Sequence, residues 1–264
     1  MATGEHLPLS VCIIAGNEVR RIRKALESVA GWTSEIILLL NEDVSDGTEK
    51  IAQSFGAKIF REPWKGHIAQ KNSAALKASQ EWILGLDADE AVSPALRSEI
   101  QKLFTRPEDL QTFAAFSFPR CSFYCGRWIR HGDWYPDRQT RLWRRSQAEW
   151  GGINPHDKLI VKGPVRRLNH DLFHFTNESI AHHLSKMAPF QAVFVKDRVA
   201  DGRPVNVFEL TLRPFWRFVR AYFLRRGFLD GWQGYYIAKF NAFSTLTKYA
   251  MVLEAETAET KKSG

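Results

Sequence analysis

The sequence predicts an α/β fold: a mixed, mainly parallel sheet with flanking helices, followed by C-terminal amphipathic helices. Three observations lead there. Short apolar runs of strand length alternate with stretches of helical spacing over the first hundred residues. One of those runs, Trp82-Ile83-Leu84-Gly85-Leu86, ends abruptly in Asp87-Ala88-Asp89-Glu90, which fits a buried parallel strand meeting the ligand-binding edge of an open sheet. Near the end, Arg213 to Arg226 holds five arginines and no acid, interleaved with Phe215, Trp216, Phe218, Tyr222 and Phe223, the composition of a basic amphipathic helix.

Taken in order, Ser10 to Ile14 reads as the first strand, turned by Ala15-Gly16-Asn17-Glu18, and Val19, Ile22, Leu26 and Val29 form a helical stripe. Glu35 to Leu40 is a second strand, closed by the polar turn Asn41 to Thr48, and Ile51, Ala52 and Phe55 mark the next helix. Ala57 to Arg61 is a short third strand and Ile68 to Ala78 a helix. The Trp82–Leu86 strand follows, and Ser93 with Pro94 gives the next helix its own cap. The three acids before Ser93 are therefore spare. Thr112 to Phe118 is strand-like, whereas Arg120 to Arg145, with seven arginines and two acids, reads as a long functional or solvated loop. Lys158 to Lys162 and Leu168 to Phe175 suit short strands, Glu178 to Val199 a helix, and Asp201-Gly202-Arg203-Pro204 a break. Tyr235 to Leu253 carries aromatics but also Lys239, Asn241 and Lys248, so it should lie on a surface, with a frayed tail after Glu254. The domain expectation is a catalytic domain over residues 1–200, its halves meeting near 105, and an extension over 201–264.

At 264 residues, with 44% hydrophobic and 25% charged content, the chain can bury one large core. The polar start, Met1 to Leu7, predicts no secretory leader, and no stretch reaches the roughly 18 apolar residues of a membrane span. Cys12, Cys121 and Cys125 are odd in number and predict free thiols in a reducing cytoplasm; a zinc site at Cys121, Cys125 and His131 lacks a fourth ligand. The net charge of +8 suits an anionic partner. Neither a Gly-x-Gly-x-x-Gly after the first strand nor a Walker-type Gly-Lys-Ser/Thr occurs, which argues against ordinary dinucleotide enzymes and P-loop ATPases. Crowded carboxylates repel each other unless positive charge lies between them, usually a metal ion.

These pieces together resemble the family 2 glycosyltransferases of GT-A fold, and most closely the bacterial branch of lipopolysaccharide-core heptose β-1,4-glucosyltransferases. The likeness rests on Asn17-Glu18, Asp46-Gly47-Thr48, Trp64-Lys65-Gly66 with Gln70-Lys71-Asn72, and Leu86-Asp87-Ala88-Asp89-Glu90. It continues through Gly126-Arg127, Trp134-Tyr135-Pro136-Asp137, Arg141-Leu142-Trp143-Arg144-Arg145 and Arg225 to Gly231, nearly the whole chain. The resemblance implies transfer of a hexose from a nucleotide sugar, expected to be UDP-linked, to a saccharide or glycolipid hydroxyl, with inversion. It implies a divalent cation, Mn2+ or Mg2+, held by Asp89 with Asp87 alongside and His174 as third ligand. Ala15, Asn17, Glu18, Asn41, Lys71, Asp87 and Ala88 would contact the nucleotide sugar, and Arg138 and Arg141 its pyrophosphate. Trp134, Asp137 and His156 would meet the acceptor. Asp157 stands where relatives carry the general base, more often Glu, and His156 is the fallback. Asn41 replaces the usual uracil-reading acid, although its carbonyl can still accept from uracil N3–H. The expected setting is the cytoplasm, peripheral on the inner face of the cytoplasmic membrane, held there by the C-terminal helices, with no nucleic-acid partner. Two rival readings remain: sugar transfer to a polyprenyl phosphate, and a non-catalytic protein that binds anionic membranes or nucleic acid.

Overall fold

The computed structural model describes residues 6–153, 156–177 and 179–260, without the side chains of residues 156, 177, 190, 259 and 260. The chain divides into two units, one of residues 1–120 and 137–175 and one of 121–136 and 176–264. The expected boundary at residue 200 therefore does not coincide with the structural one: the second unit begins at Thr176 and also takes in Cys121–Pro136.

In the first unit, β1 (Leu7–Ala15), β2 (Thr33–Asn41), β3 (Lys58–Glu62) and β4 (Trp82–Asp87) alternate with α1 (Ile22–Val29), α2 (Thr48–Ser54) and α3 (His67–Leu76). The apolar runs become strands because β1, β2 and β4 are covered on both faces, leaving almost every residue of them buried. The register puts Ile14 beside Asp87 and Ala15 beside Leu40. The carboxyl ends of β1, β2 and β4 thus lie side by side, with Ala15, Asn41 and Asp87 as their last residues. Gly47, at φ +96°, makes the left-handed turn into α2. The Ser93 hydroxyl accepts from the Leu96 amide and caps α4 (Pro94–Phe104), as expected from the Ser-Pro pair.

After α5 (Pro107–Thr112) the sheet turns antiparallel. Strands β5 (Glu90–Val92), β6 (Ala115–Tyr124), β8 (Asp137–Arg144) and β12 (Leu172–Asn177) extend it in the order β3-β2-β1-β4-β8-β6-β12-β5. Here β11 (Val165–Arg167) adds in parallel to β6, and β9 (Ala148–Ile153) with β10 (His156–Val161) forms a separate hairpin. The Arg120–Arg145 segment is therefore no long loop, because β8 runs through it beside β4, pairing Leu84 with Leu142 and Ile83 with Trp143. The expected Thr112 strand start is also displaced, since α5 ends at Thr112 and β6 begins at Ala115.

The second unit holds β7 (Arg127–Ile129), which pairs with Ser122–Tyr124, together with α6 (Ile180–Ser185), α7 (Met187–Ala200), α8 (Val207–Leu210), α9 (Leu212–Val219) and α10 (Gly231–Thr260). Its core is aromatic: Tyr124, Ile129 and Ile237 are buried, with Trp134 and Tyr236 packed against them. Arg213 to Arg226 is not one helix. It passes from α9 into a π turn over Arg220–Leu224 and then a 3-10 turn over Gly227–Asp230. The tail expected to fray after Glu254 is helical through Thr260. Among the described residues no helix is long and apolar enough to cross a membrane.

Candidate active site

β4 delivers Asp87 to the sheet edge, and a two-residue turn returns the chain as β5. Asp87 and Glu90 are consequently close, and the Glu90 carboxylate accepts from the Asp87 amide at 3.0 Å. Each acid is met by cations from the same unit. Lys71 Nζ lies 2.8 Å from Asp87 Oδ1, and Arg141 Nη2 donates to Asp87 Oδ2 at 2.5 Å and to Glu90 Oε1 at 3.1 Å. Arg120 Nη1 adds a bond to Glu90 at 3.0 Å. The positive charge that separates Asp87 from Glu90 is thus the Arg141 guanidinium, with Lys71 added on the Asp87 side and Arg120 on the Glu90 side. Burial alone would raise the Asp87 carboxyl, but Arg141 and Lys71 outweigh it and hold the group well below the usual carboxylate range. Arg141, buried against Asp87 and Glu90, is driven further toward its charged form.

Lys71 lies on the inward face of α3 with Gln70 and Ala74. Its ammonium also contacts Asp157 Oδ2 at 2.8 Å, so one cation bridges the first acid of Asp-Ala-Asp and the expected base. Asp157 sits on β10 opposite Gly152 rather than in a loop. Asn72, next to Lys71 on α3, clasps the Trp150 backbone from both sides at 2.8 and 2.9 Å, tying the helix to the hairpin that carries Asp157. Trp150 in turn faces both cations, its ring 4.5 Å from Lys71 Nζ and 5.1 Å from the Arg141 guanidinium.

Asp89 points elsewhere. The antiparallel register pairs His174 with Glu90, and the Phe175 amide donates to the Asp89 carbonyl at 2.8 Å. This brings His174 Nε2 to 3.5 Å from Asp89 Oδ2, with Arg21 at 3.7 Å. Burial pushes the Asp89 carboxyl up, but the His174 bond and charge outweigh it and the net shift is downward. Glu18 is moved the other way, upward by burial, against the opposing pull of Arg21. Arg21 grips Glu18 at 2.7 and 2.9 Å, and Asp46 with Thr48 holds the backbone of residues 18 and 19.

An ionised oxygen donor and an imidazole nitrogen side by side suit Mn2+ or Mg2+ when substrate phosphates complete the shell. Asp89 and His174 fit that role. Asp87 fits it less well, since both its oxygens are engaged by Lys71 and Arg141. Among the described residues no three His, Cys, Asp or Glu side chains converge as a metal cluster.

Of the other expected contacts, Ala15, Asn41 and Ala88 lie at the carboxyl edge, and Asn41 Oδ1 is buried with no hydrogen-bond partner. Asn17 is exposed. Arg138 is not drawn to the acids; its guanidinium donates to the Leu168 carbonyl at 3.0 Å. Asp137 is taken up by Arg120 and Gln139. Trp134 belongs to the second unit, packed edge-on against Tyr124 at 5.2 Å and His183 at 5.3 Å. His156 contributes backbone to β10, and its side chain lies outside the described residues, as do Asn154 and Pro155. The inward roles of Arg120, Arg21 and Trp150 went unread in the sequence. The one signal was the density of arginine between residues 120 and 145, which marked cations without saying which acids they face.

A parallel edge carrying an Asp-x-Asp beyond β4, with an antiparallel extension that supplies a histidine, defines a GT-A-like α/β protein. The glycosyl transferase family 2 profile matches residues 10–168, and the chain belongs to that family. It is 30% identical over 257 residues to the uncharacterized glycosyltransferase RP128 of Rickettsia prowazekii, spanning 92% of this chain and 85% of that protein. It is 24% identical to the lipopolysaccharide core biosynthesis glycosyltransferase LpsC of Rhizobium meliloti, over 93% of this chain and 94% of that one. Among solved structures, the mannosyltransferase PcManGT of Pyrobaculum calidifontis, in complex with GDP-Man and Mn2+, superposes with a TM-score of 0.50. That match has 13% identity and covers 96% of this chain and 76% of the other; at that identity it speaks for the fold alone. The protein is a glycosyltransferase.

Proposed function

We propose that this glycosyltransferase moves a hexose from a UDP-linked donor to a hydroxyl of a saccharide or glycolipid, with inversion and with a divalent metal. The setting we assign is lipopolysaccharide-core or related cell-envelope glycan synthesis at the inner face of the cytoplasmic membrane. LpsC, similar along its whole length, supports the envelope setting. Residues 1–105 would serve the donor, 106–200 the acceptor, and 201–264 the membrane.

The observation that carries the reading is the Asp87–Lys71–Asp157 bridge, because it sets the proposed base one ammonium away from the donor edge. Ala15, Asn17, Glu18 and Asn41 would line the nucleoside, and the unpaired Asn41 carbonyl suits uracil N3–H. Arg141 faces the same edge as a fixed cation. Asp89 and His174 would hold the metal, which when bound offsets the charge that grows on the departing diphosphate. Asp157 takes the acceptor hydroxyl proton as the new C1–O bond forms on one face of the sugar and the C1–O bond to the diphosphate breaks on the other.

The test is thermal-shift titration with nucleoside diphosphates, with and without Mn2+, paired with transfer assays on Asp89→Ala and Asp157→Asn. Ligand binding raises the apparent melting temperature by mass action. A UDP shift that needs metal and disappears in Asp89→Ala is expected. Asp157→Asn should keep that shift and lose about 10²–10⁴ in turnover. Full turnover in Asp157→Asn would remove Asp157 as base and favour a phosphate acceptor, which needs no deprotonation.

A further inference from the structure

Half of the exposed large apolar side chains among the described residues fall between Val207 and Tyr235. Their placement on α8 and α9 is ordered. On α9, Leu212, Phe215 and Trp216, spaced i, i+3 and i+4, fall along one face and are 51, 64 and 55% exposed, and Phe208 on α8 is 66% exposed. The inward face of the same segment is carried by Pro214 and Ala221, which are buried. A helix that only packs on its own unit keeps its apolar stripe inward. This one has an apolar stripe directed outward, and Phe223 and Leu224 in the π turn that follows are exposed as well.

Arginines flank that stripe, and their counter-ions lie inside. Arg217, Arg220 and Arg225 all converge on the single carboxylate of Asp133, at 3.4, 3.0 and 3.3 Å. The Asp133 side chain is 6% exposed, whereas the three arginine side chains are 40 to 49% exposed, with the Nε atoms of Arg217 and Arg220 turned inward. One acid can neutralise one of three cations, so two positive charges remain at the surface beside the apolar face. Glu209 repeats the pattern, buried under Arg198 and the half-exposed Arg213. Buried acids thus anchor a collar of part-exposed arginines whose positive charge outnumbers them.

We infer that this face is a docking surface for an anionic phospholipid bilayer, with Phe215 and Trp216 entering the acyl boundary and the Arg213–Arg225 collar on the lipid phosphates. Aromatic side chains rimmed by arginine are the chemistry of the membrane interface. A second copy of the chain fits the same face poorly, because a two-fold contact would set arginine collar against arginine collar. The inference deepens the membrane setting proposed above, but it is read without donor or acceptor. Its failure therefore leaves sugar transfer standing, and failure of transfer leaves this surface standing.

The experiment is co-sedimentation of the full chain with phosphatidylcholine vesicles, with and without phosphatidylglycerol, on wild type, F215S/W216S, R213Q/R225Q and W216F. Wild type should pellet with the anionic vesicles alone. F215S/W216S should lose that binding at an unchanged melting temperature. R213Q/R225Q should weaken it about fivefold per arginine, since each basic residue near an anionic surface is worth that much. Fluorescence with brominated lipids supplies a second readout: quenching should fall in W216F while its pelleting persists, which places residue 216 at the acyl boundary. Absence of binding to anionic vesicles overturns the proposal. So does full binding by F215S/W216S, or a wild-type dimer in light scattering that the same double variant dissociates.

Discussion

Lys71 is the residue that joins Asp87 at the sheet edge to Asp157 on the β10 strand. Its ammonium is nearly buried, faces Trp150, and lies at equal distance from Asp87 and Asp157. Lys71→Met would leave two carboxylates facing each other without the charge that separates them. The expected outcome is a fall in turnover of at least about tenfold with a weaker change in nucleotide binding, because the methionine still packs on Trp150 while Asp157 loses its anchor. Steady-state kinetics beside a UDP titration check it, and equal losses in both would make Lys71 a donor ligand only. The sequence marked Lys71, Asp87 and Asp157 individually through resemblance to a family. Their bridging was illegible, since nothing in Gln70-Lys71-Asn72 says that α3 turns Gln70 and Lys71 inward beside its apolar Ala74.

At the scale of elements, β4 shows what was legible and what was not. Its apolar run, abrupt acids and the Ser93-Pro94 cap predict strand, turn and helix from local chemistry alone. β8 was hidden because it reads Asp-Arg-Gln-Thr-Arg-Leu-Trp-Arg, whose central Arg141 can be buried only once Asp87 and Glu90 exist to receive it. Pairing across about 60 residues is not encoded in the strand itself. The two strands are fitted closely around Gly85, where an added Cβ would stand 3.0 Å from Trp143 and 3.2 Å from Trp150. Neither ring is a flexible chain end. Gly85→Ala should therefore cost about 1–3 kcal/mol by overpacking, read as a lowered urea midpoint. It should also weaken turnover, since Trp150 faces both Lys71 and Arg141. A neutral Gly85→Ala would mean the tryptophans repack freely.

For the whole molecule, acid should act on the two units in different pH windows. In the second unit, His183 is buried beneath the Tyr124 hydroxyl at 3.0 Å, and burial, with Lys186 and His182 nearby, pushes it from 6.5 down to about 4. The unfolded chain binds that proton first, so the stabilisation is complete above about pH 6.5 and declines as pH falls toward 4. In the first unit, burial would raise Glu35, but Lys58, Ser10 and Ser79 outweigh it and bring it from 4.5 to about 2. Lys65, Lys77 and Ser73 bring Glu62 from 4.5 to about 2 as well. Those contributions are complete above about pH 4.5 and are lost as pH falls through 2. Amide exchange read by mass spectrometry across pH should therefore show segments around Tyr124, Trp134 and Tyr236 losing protection between pH 6.5 and 4. Segments around β1 and β2 should hold until below 4.5. His183→Gln should abolish the upper window without moving the lower one, and Glu35→Gln should flatten the lower one alone. Simultaneous loss of protection in both units would show that some group shared by both, and not these buried ones, governs the response to acid.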